Sequence, residues 1–147
     1  GTGVDALAPC AGRLVVTPHP GEKARLAGLS VAQVLQMPAN VARGFAGKTG
    51  AVTVLKGHRT LVAAPGGRLY RNTTGNAGLA RGGSGDLLAG MVAGLAAQGL
   101  SPEAAAVCGV WLHGAAADVC AAHHSMQGML PEDILPALCT VFLENGR

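Results

Sequence analysis

"LARGGSGDLLAG", residues 79–90, contains four glycines and one carboxylate, Asp86, directly before an apolar segment with helical character. Glycine lets the backbone approach a ligand closely, and the N–H groups at a helix N-terminus are unpaired and partly positive. We therefore expect an anion site, most often one for phosphate, with Asp86 at its edge. The alternative is that Asp86 only interacts favourably with the helix dipole, which would explain the presence of Asp86 but not that of the glycines. Ser84 is expected to cap this helix.

The composition predicts a single globular domain over residues 1–147, because 49% of the residues are hydrophobic and only 13% are charged. Aromatic residues make up 3%, which disfavours single-stranded nucleic acid as a partner because its bases need stacking platforms. The net charge of +3 comes without a basic block, so it suits a small anionic ligand at least as well as a polymer. We expect no nucleic-acid partner.

The four cysteines, Cys10, Cys108, Cys120 and Cys139, are widely spaced and form no CxxC pair. This spacing predicts buried thiols in a reducing, cytoplasmic compartment and no protein metal site. No signal peptide is recognised, and the uncharged run 104–117 is too short to cross a bilayer. We expect no membrane association.

Hydrophobic patterning and breaker residues predict the order of the elements. Strands are expected at residues 13–17 and 51–55, with a helix after the first strand and one or two short helices, broken near Pro38, before the second. Residues 60–64 and 68–71 are expected to form a hairpin around Pro65, Gly66 and Gly67. Helices follow at about 85–98, 102–122 and 131–145. This order predicts an α/β fold with a partly parallel sheet.

Four stretches now stand in order: "TPHPGE" (17–22), "LKGHRT" (55–60), "NTTGNAGLARGGSGDLLAG" (72–90) and "WLHGAAAD" (111–118). Together they closely resemble the NAD(P)H-hydrate dehydratase family of the ribokinase-like superfamily, over residues from about 4 to 133. The glycine loop with its aspartate is shared across that superfamily, whereas "TPHPGE" followed by "LKG" and "TGNAGLARGGSGD" is much more specific to the dehydratases. The resemblance implies a ribokinase-like three-layer α/β/α fold, of which this chain would be the C-terminal portion.

The resemblance also implies a repair activity on a small-molecule substrate, the hydrated form of NADH or NADPH. ADP or ATP, with Mg²⁺ arriving on the nucleotide, would phosphorylate the hydrate's hydroxyl, and elimination of phosphate would restore the cofactor. Bacterial members typically use ADP and release AMP and phosphate.

Site residues follow from the same resemblance. Asp86 matches the catalytic aspartate that activates the substrate hydroxyl, and His19 matches a position that contacts the hydrated nucleotide. The anion hole would comprise the backbone N–H groups of Gly82, Gly83, Ser84 and Gly85. The adenine nucleotide is expected at Lys56, Gly57, His58, Arg59, Thr60 and Gly85. For Asn72 and Asn76, orientation of phosphate or substrate and simple turn roles both remain open, whereas packing and polar satisfaction are favoured for His113 and Asp118.

Two departures from the family pattern carry expectations of their own. The superfamily fold normally needs a considerably longer chain, and the family's Asp-Ala-Asp-Ala-Leu pattern is "GVDAL" here (3–7). We therefore expect little dehydratase activity from this chain alone, and pairing with the missing N-terminal half or with further copies as a homo-oligomer. A ribokinase-like vitamin-precursor kinase and a nucleotide-binding piece without turnover remain alternatives.

Overall fold

The structure, a computed structural model, describes residues 4–146. The chain divides into two compact units. The first unit comprises the residues up to Asn72 together with Leu100–Val107, and the second comprises Thr73–Gly99 together with the residues from Cys108 onward. The division into these units does not test the prediction that residues 1–147 form one domain, which stays a prediction.

The first unit contains a four-stranded sheet in the order β1-β2-β3-β4. The strands are β1 (Val15–Val16), β2 (Val52–Leu55), β3 (Leu61–Ala63) and β4 (Leu69–Arg71). β1 and β2 run parallel, whereas β2, β3 and β4 are successively antiparallel. The partly parallel sheet and the hairpin are therefore confirmed, and each strand is shorter than its apolar run suggests.

Three α-helices lie between β1 and β2: α1 (Pro20–Ala27), α2 (Val31–Gln36) and α3 (Pro38–Thr49). Pro38 begins α3, where its missing N–H costs nothing, so the predicted break at this proline is confirmed. A short 3-10 helix, Asp5–Cys10, precedes β1. The core between helices and sheet consists of small and branched apolar side chains: Ala24, Val34, Ala42, Ala46, Leu55, Leu61 and Ala63.

One charged side chain lies in this interior. Lys23 of α1 is fully buried, and its Nζ sits 3.1 Å from the centre of the Phe45 ring of α3. This Nζ has no hydrogen-bond partner among the described residues. The face of the ring favours the charged form, because it carries negative electrostatic potential.

The second unit is helical. It contains α4 (Ser84–Ala97), most of α5 (Pro102–Gly128) and α6 (Pro131–Asn145), with a short 3-10 helix at Ala77–Leu79. Its core is formed by Ala116, Ala117, Cys120, Met129, Ile134 and Val141. The three predicted helices are confirmed. However, α5 continues six residues past its expected end and is interrupted at Ser125, whose φ of 61° is non-helical.

The expectation of buried thiols is wrong for three of the four cysteines. Cys120 is buried, and burial raises the pKa of its thiol, with the carboxylate of Asp133 adding to the effect. Cys10, Cys108 and Cys139 are exposed, because they lie on the outward sides of their helices, and all four cysteines are free. Apolar sequence neighbours therefore do not decide which side of a helix a thiol occupies.

α5 is also long and apolar enough, by length and composition, to cross a membrane, which the uncharged run 104–117 alone is not. Half of its most apolar window is buried within the structure. Buried core helices of globular proteins meet the same criterion, so this helix is weak evidence for a membrane span.

Candidate functional site

Two sequence-predicted segments meet at the carboxyl ends of the parallel strands in the first unit. His19 follows β1, and Lys56 follows β2. The backbone N–H of Lys56 donates to the carbonyl of Pro18 at 3.0 Å, which joins the two loops. Open α/β sheets bind ligands at this edge. Both segments therefore begin at this edge of the sheet.

His19 is the N-cap of α1. Its Nδ1 accepts hydrogen bonds from the backbone N–H of Gly21 at 3.1 Å and of Glu22 at 3.4 Å. Glu22 Oε2 accepts from the backbone N–H of His19 at 2.9 Å, which completes a capping box. Glu22 Oε1 lies 3.3 Å from Nε2 of His19. Both ring nitrogens of His19 therefore already have partners within the chain.

Residues 56–59 border a cavity of about 260 Å³ in the first unit. Its walls are mostly apolar, and its other lining residues come from α1, α2, the start of α3 and the sheet: Pro20, Val34, Leu35, Pro38, Leu55, Leu61 and Arg71. A Cβ added to Gly57 would stand in open space, so the backbone at that residue is accessible. An apolar cavity with basic groups around it suits an anion that carries an apolar body. Thr60 does not line the cavity; its hydroxyl lies 3.5 Å from the Gly57 carbonyl.

The glycine loop lies in the second unit and leads into α4 at Ser84. Gly83 is the N-cap, with φ of 88°, and a Cβ there would meet Pro131 at 3.3 Å. Backbone strain and packing thus both require glycine at this residue. Ser84 does not cap the helix, contrary to expectation, because it is the first helical residue and Gly83 occupies the cap position. A Cβ on Gly82, by contrast, would meet nothing within 4 Å.

Asp86 lies in the first turn of α4, and it is exposed. The first N–H groups of a helix have no partner inside the helix. The Ser84 N–H already donates to the Arg81 carbonyl at 3.4 Å. The loop places a helix N-terminus and a carboxylate side by side, and the anion hole at residues 82–85 stays a prediction. Chemically, this arrangement can hold an oxyanion and accept a proton from a hydroxyl next to it.

The predicted contact residues Asn72 and Asn76 have different surroundings. Asn76 Nδ2 donates to the Ala117 carbonyl and to Asp118 Oδ1, both at 3.0 Å, and its Oδ1 accepts from Gly78 N–H at 3.0 Å. These bonds favour the turn role for Asn76. Asn72 donates its backbone N–H to the Thr60 carbonyl at 2.9 Å, which extends the hairpin. Ligand contacts of either residue stay a prediction.

Asp118 has a structural role, as the sequence favoured. Its Oδ2 accepts from the backbone N–H of Gly75 at 2.8 Å, so the carboxylate holds the Gly75–Asn76 segment against α5. Gly114, one turn earlier, permits this approach, because a Cβ there would lie 2.7 Å from the carbonyl carbon of Thr74. The loop that leads towards the glycines is thus fixed to α5.

Arg71 is a cavity-lining residue that the sequence reasoning missed. The alternation of side chains along a strand would have indicated it, because residues 69 and 71 share one face of β4 and residues 68 and 70 the other. Among the described residues, no group of three or more His, Cys, Asp or Glu side chains is arranged to hold a metal ion.

The fold is that of a ribokinase-like α/β protein. It matches a solved ribokinase-like superfamily protein from Enterococcus faecalis with a TM-score of 0.77 and 33% identity, over 98% of this chain and 51% of that one. A crystal structure of the ADP/ATP-dependent NAD(P)H-hydrate dehydratase from Bacillus subtilis, co-crystallised with ATP/Mg²⁺ and soaked with CoA, matches with a TM-score of 0.85 and 35% identity. That match covers 91% of this chain and 53% of the Bacillus chain.

The family model for NAD(P)H-hydrate dehydratase matches residues 5–139, and the chain belongs to that family. It is 50% identical over 125 residues to the ADP-dependent (S)-NAD(P)H-hydrate dehydratase of Neisseria meningitidis, covering 84% of this chain and 42% of the relative. It is 48% identical over 127 residues to the bifunctional NAD(P)H-hydrate repair enzyme of Moorella thermoacetica, covering 86% and 24%. The chain thus spans less than half the length of these two curated relatives.

Proposed function

We propose that this chain supplies the nucleotide-binding segment and the catalytic loop of an ADP- or ATP-dependent NAD(P)H-hydrate dehydratase. In the proposed reaction, a phosphoryl group passes from the nucleotide to the hydroxyl of hydrated NADH or NADPH. Phosphate then leaves with formation of the ring double bond, which restores the reduced cofactor. Family membership, together with the dehydratase activities after which the Neisseria and Bacillus relatives are named, supports this assignment.

The observation that carries the proposal is the start of α4. The backbone N–H groups of residues 82–85 would hold the transferring phosphoryl group, because partly positive donors fixed in place need no reorganisation during the reaction. Asp86, in the first turn, would accept the proton of the attacking hydroxyl, and such general-base catalysis contributes roughly 10²–10⁴-fold. The open space at Gly82 supports a close approach of phosphate to the backbone.

Substrate and nucleotide would occupy separate segments of the site. We assign the adenine nucleotide to residues 56–60, of which residues 56–59 border the largely apolar cavity in the first unit. We assign the hydrated nicotinamide nucleotide to the segment of His19, whose ring is held rigid by the capping box. A nucleotide-bound structure with both segments far from any ligand would contradict this assignment.

Mg²⁺ enters this proposal with the nucleotide. Since the described residues provide no cluster of three ligating side chains, the phosphate oxygens would supply most of its coordination. When bound, the ion would neutralise charge on the phosphates. The chain's own contribution is the anion hole, the side chains of Lys56 and Arg59, and the Asp86 carboxylate.

Assembly and location also belong to the proposal. Val31, Leu35 and Met37 are 45%, 62% and 53% exposed, which leaves apolar surface on one side of the first unit. We propose that the rest of a family-length domain, or a second copy in a homo-oligomer, covers these side chains. Four free cysteines support a cytoplasmic location, because oxidising compartments favour disulfides.

The test is an assay of this 147-residue chain beside a family-length protein, at matched concentration, with hydrated NADH and ADP or ATP. Recovery of the absorbance of reduced nicotinamide by the longer protein, and little recovery by this chain, is the expected result. Phosphorylation of thiazole or pyrimidine alcohols instead would identify a vitamin-precursor kinase. Nucleotide binding by calorimetry with neither product would identify a binding module. Equal turnover by the two proteins would show that this chain alone suffices.

A further inference from the structure

β4 separates its side chains onto two faces with different chemistry. Arg68 donates to Glu103 at 2.6 Å, and the hydroxyl of Tyr70 donates to the same carboxylate at 2.9 Å. Arg71 lies on the opposite face, because neighbouring side chains of a strand alternate. Its partner across the sheet is Leu61, and the partner of Leu61 on β2 is Leu55. Cross-strand partners share a face, so this row places Arg71 beside the two leucines that line the cavity.

The charge around the cavity is entirely positive. Three of its lining residues, Lys56, Arg59 and Arg71, are cationic, His58 is a fourth basic group, and no carboxylate lines it. In the part of the chain that the structure describes, none of the three cationic side chains has an ion pair or hydrogen bond. Arg68, by contrast, is paired. Unpaired cations that converge on one cavity favour an anionic ligand.

The cavity has room for only part of such a ligand. Its volume of about 260 Å³ is slightly below the roughly 300–1,000 Å³ of pockets that enclose whole ligands. The apolar walls suit a flat base, and the charged groups of the same ligand must then lie beyond the walls, among the cationic side chains. A guanidinium binds phosphate oxygens with two parallel N–H donors, which a lysine cannot do.

We propose that Arg71 is a specificity-determining residue of the nucleotide site, and that its guanidinium binds a phosphate of ADP or ATP whose base occupies this cavity. The inference rests on the proposed function and adds a residue outside the 56–60 segment. If Arg71 binds a phosphate, the affinity of the site depends on that phosphate. The affinity for a nucleoside without phosphate is then independent of Arg71.

The experiment is calorimetry of the full 147-residue chain with ADP and with adenosine, at low and at high salt. Arg71→Gln should weaken ADP binding by about tenfold, since one partly exposed charge-assisted contact is lost, and should leave adenosine binding unchanged. The salt dependence of ADP binding should also decrease. Arg71→Lys should recover part of the affinity, because it keeps the charge without the two-donor geometry.

Arg68→Gln is the matched control, since it removes an arginine from the other face of the same strand and should not change ADP binding. Circular dichroism establishes that each variant is folded. If the unaltered chain binds ADP and Arg71→Gln binds it equally well, this inference is wrong although the proposed function stands. An equal loss of ADP and adenosine binding also overturns it, because the defect then lies in the cavity. If the unaltered chain binds no ADP, the proposed function fails first, and the inference fails with it.

Discussion

Replacing Lys23 with methionine should stabilise this protein, and the gain should depend on pH. Burial lowers the pKa of the Lys23 ammonium from 10.5 to about 7. Between these pH values the unfolded chain holds a proton that the folded chain has released, so stability rises with pH over that window. The destabilising contribution of Lys23 is therefore complete below pH 7, decreases as the pH rises, and is absent above about 10.5. Methionine has a similar length and no charge, so it removes the effect.

The magnitude follows from the two pKa values. A difference between 10.5 and about 7 corresponds to a cost of about 5 kcal/mol below pH 7, at about 1.4 kcal/mol for each pH unit. The Phe45 ring, 3.1 Å from Nζ, offsets about 1–2 kcal/mol of this by favouring the charged form. Lys23→Met should therefore raise the free energy of unfolding by about 3 kcal/mol at pH 6. The gain should then fall as the pH rises, by at most about 1.4 kcal/mol per pH unit, and be lost by about pH 10.5.

The assay is urea unfolding followed by far-ultraviolet circular dichroism at several pH values from 6 to 10. Fluorescence of the single tryptophan, Trp111, is unsuitable because that residue lies in the second unit. Lys48→Met is the control, since Lys48 is an exposed residue of α3, the helix that carries Phe45. A gain that is the same at pH 6 and pH 10, or a loss of stability at pH 6, would refute the argument that a buried charge is the cause.

Four further changes test the loop and its support. Asp86→Asn in a family-length protein should lower turnover by about two orders of magnitude or more with nucleotide affinity little changed, and unchanged turnover would remove Asp86 from the mechanism. Gly83→Ala should lower the free energy of unfolding by about 1–2 kcal/mol. Gly82→Ala should leave the free energy of unfolding unchanged and weaken ADP binding. Equal effects of the two substitutions on stability would contradict the different surroundings of these glycines. Gly114→Ala should cost about 2–4 kcal/mol in urea unfolding, because its Cβ has no room, and full stability would show that the loop can move away.

The glycine loop and the start of α4 could be predicted to within one residue because both signals are local. Glycine density, followed by an apolar helical period, gives the loop and the helix without reference to the rest of the chain. The hairpin could be predicted for the same reason, since Pro65, Gly66 and Gly67 specify a turn between two apolar runs. The end of α5 could not be predicted, because after the non-helical residue Ser125 the chain forms one more helical turn that ends at Gly128.

The side chains that the sequence placed wrongly, or did not place at all, owe their surroundings to contacts far along the chain. Lys23, within "HPGEKARL", has the composition of an exposed helix position, and only the packing of α1 against α3 places it over Phe45. For Asp118 the sequence indicated a structural role but not the partner, because the Gly75 N–H from which it accepts is 43 residues away. Arg71 joins Lys56 at one cavity through a strand pairing. Local propensity does not encode such contacts, because tertiary structure decides them.

The glycines near the proposed site illustrate how structure separates two reasons for the same residue. Gly83 has φ of 88° and packs against Pro131, so folding alone accounts for it. Gly57 and Gly82 have neither a positive φ nor a neighbour within 4 Å of an added Cβ, so folding does not account for them. Gly90 and Gly94 of α4 are equally unconstrained, which means that open space by itself does not mark a ligand site. The difference is position: Gly57 follows a strand end and Gly82 precedes a helix start, and these are the kinds of place where proteins bind anions. Under the proposed function, close approach of phosphate to the backbone would supply the reason that packing does not.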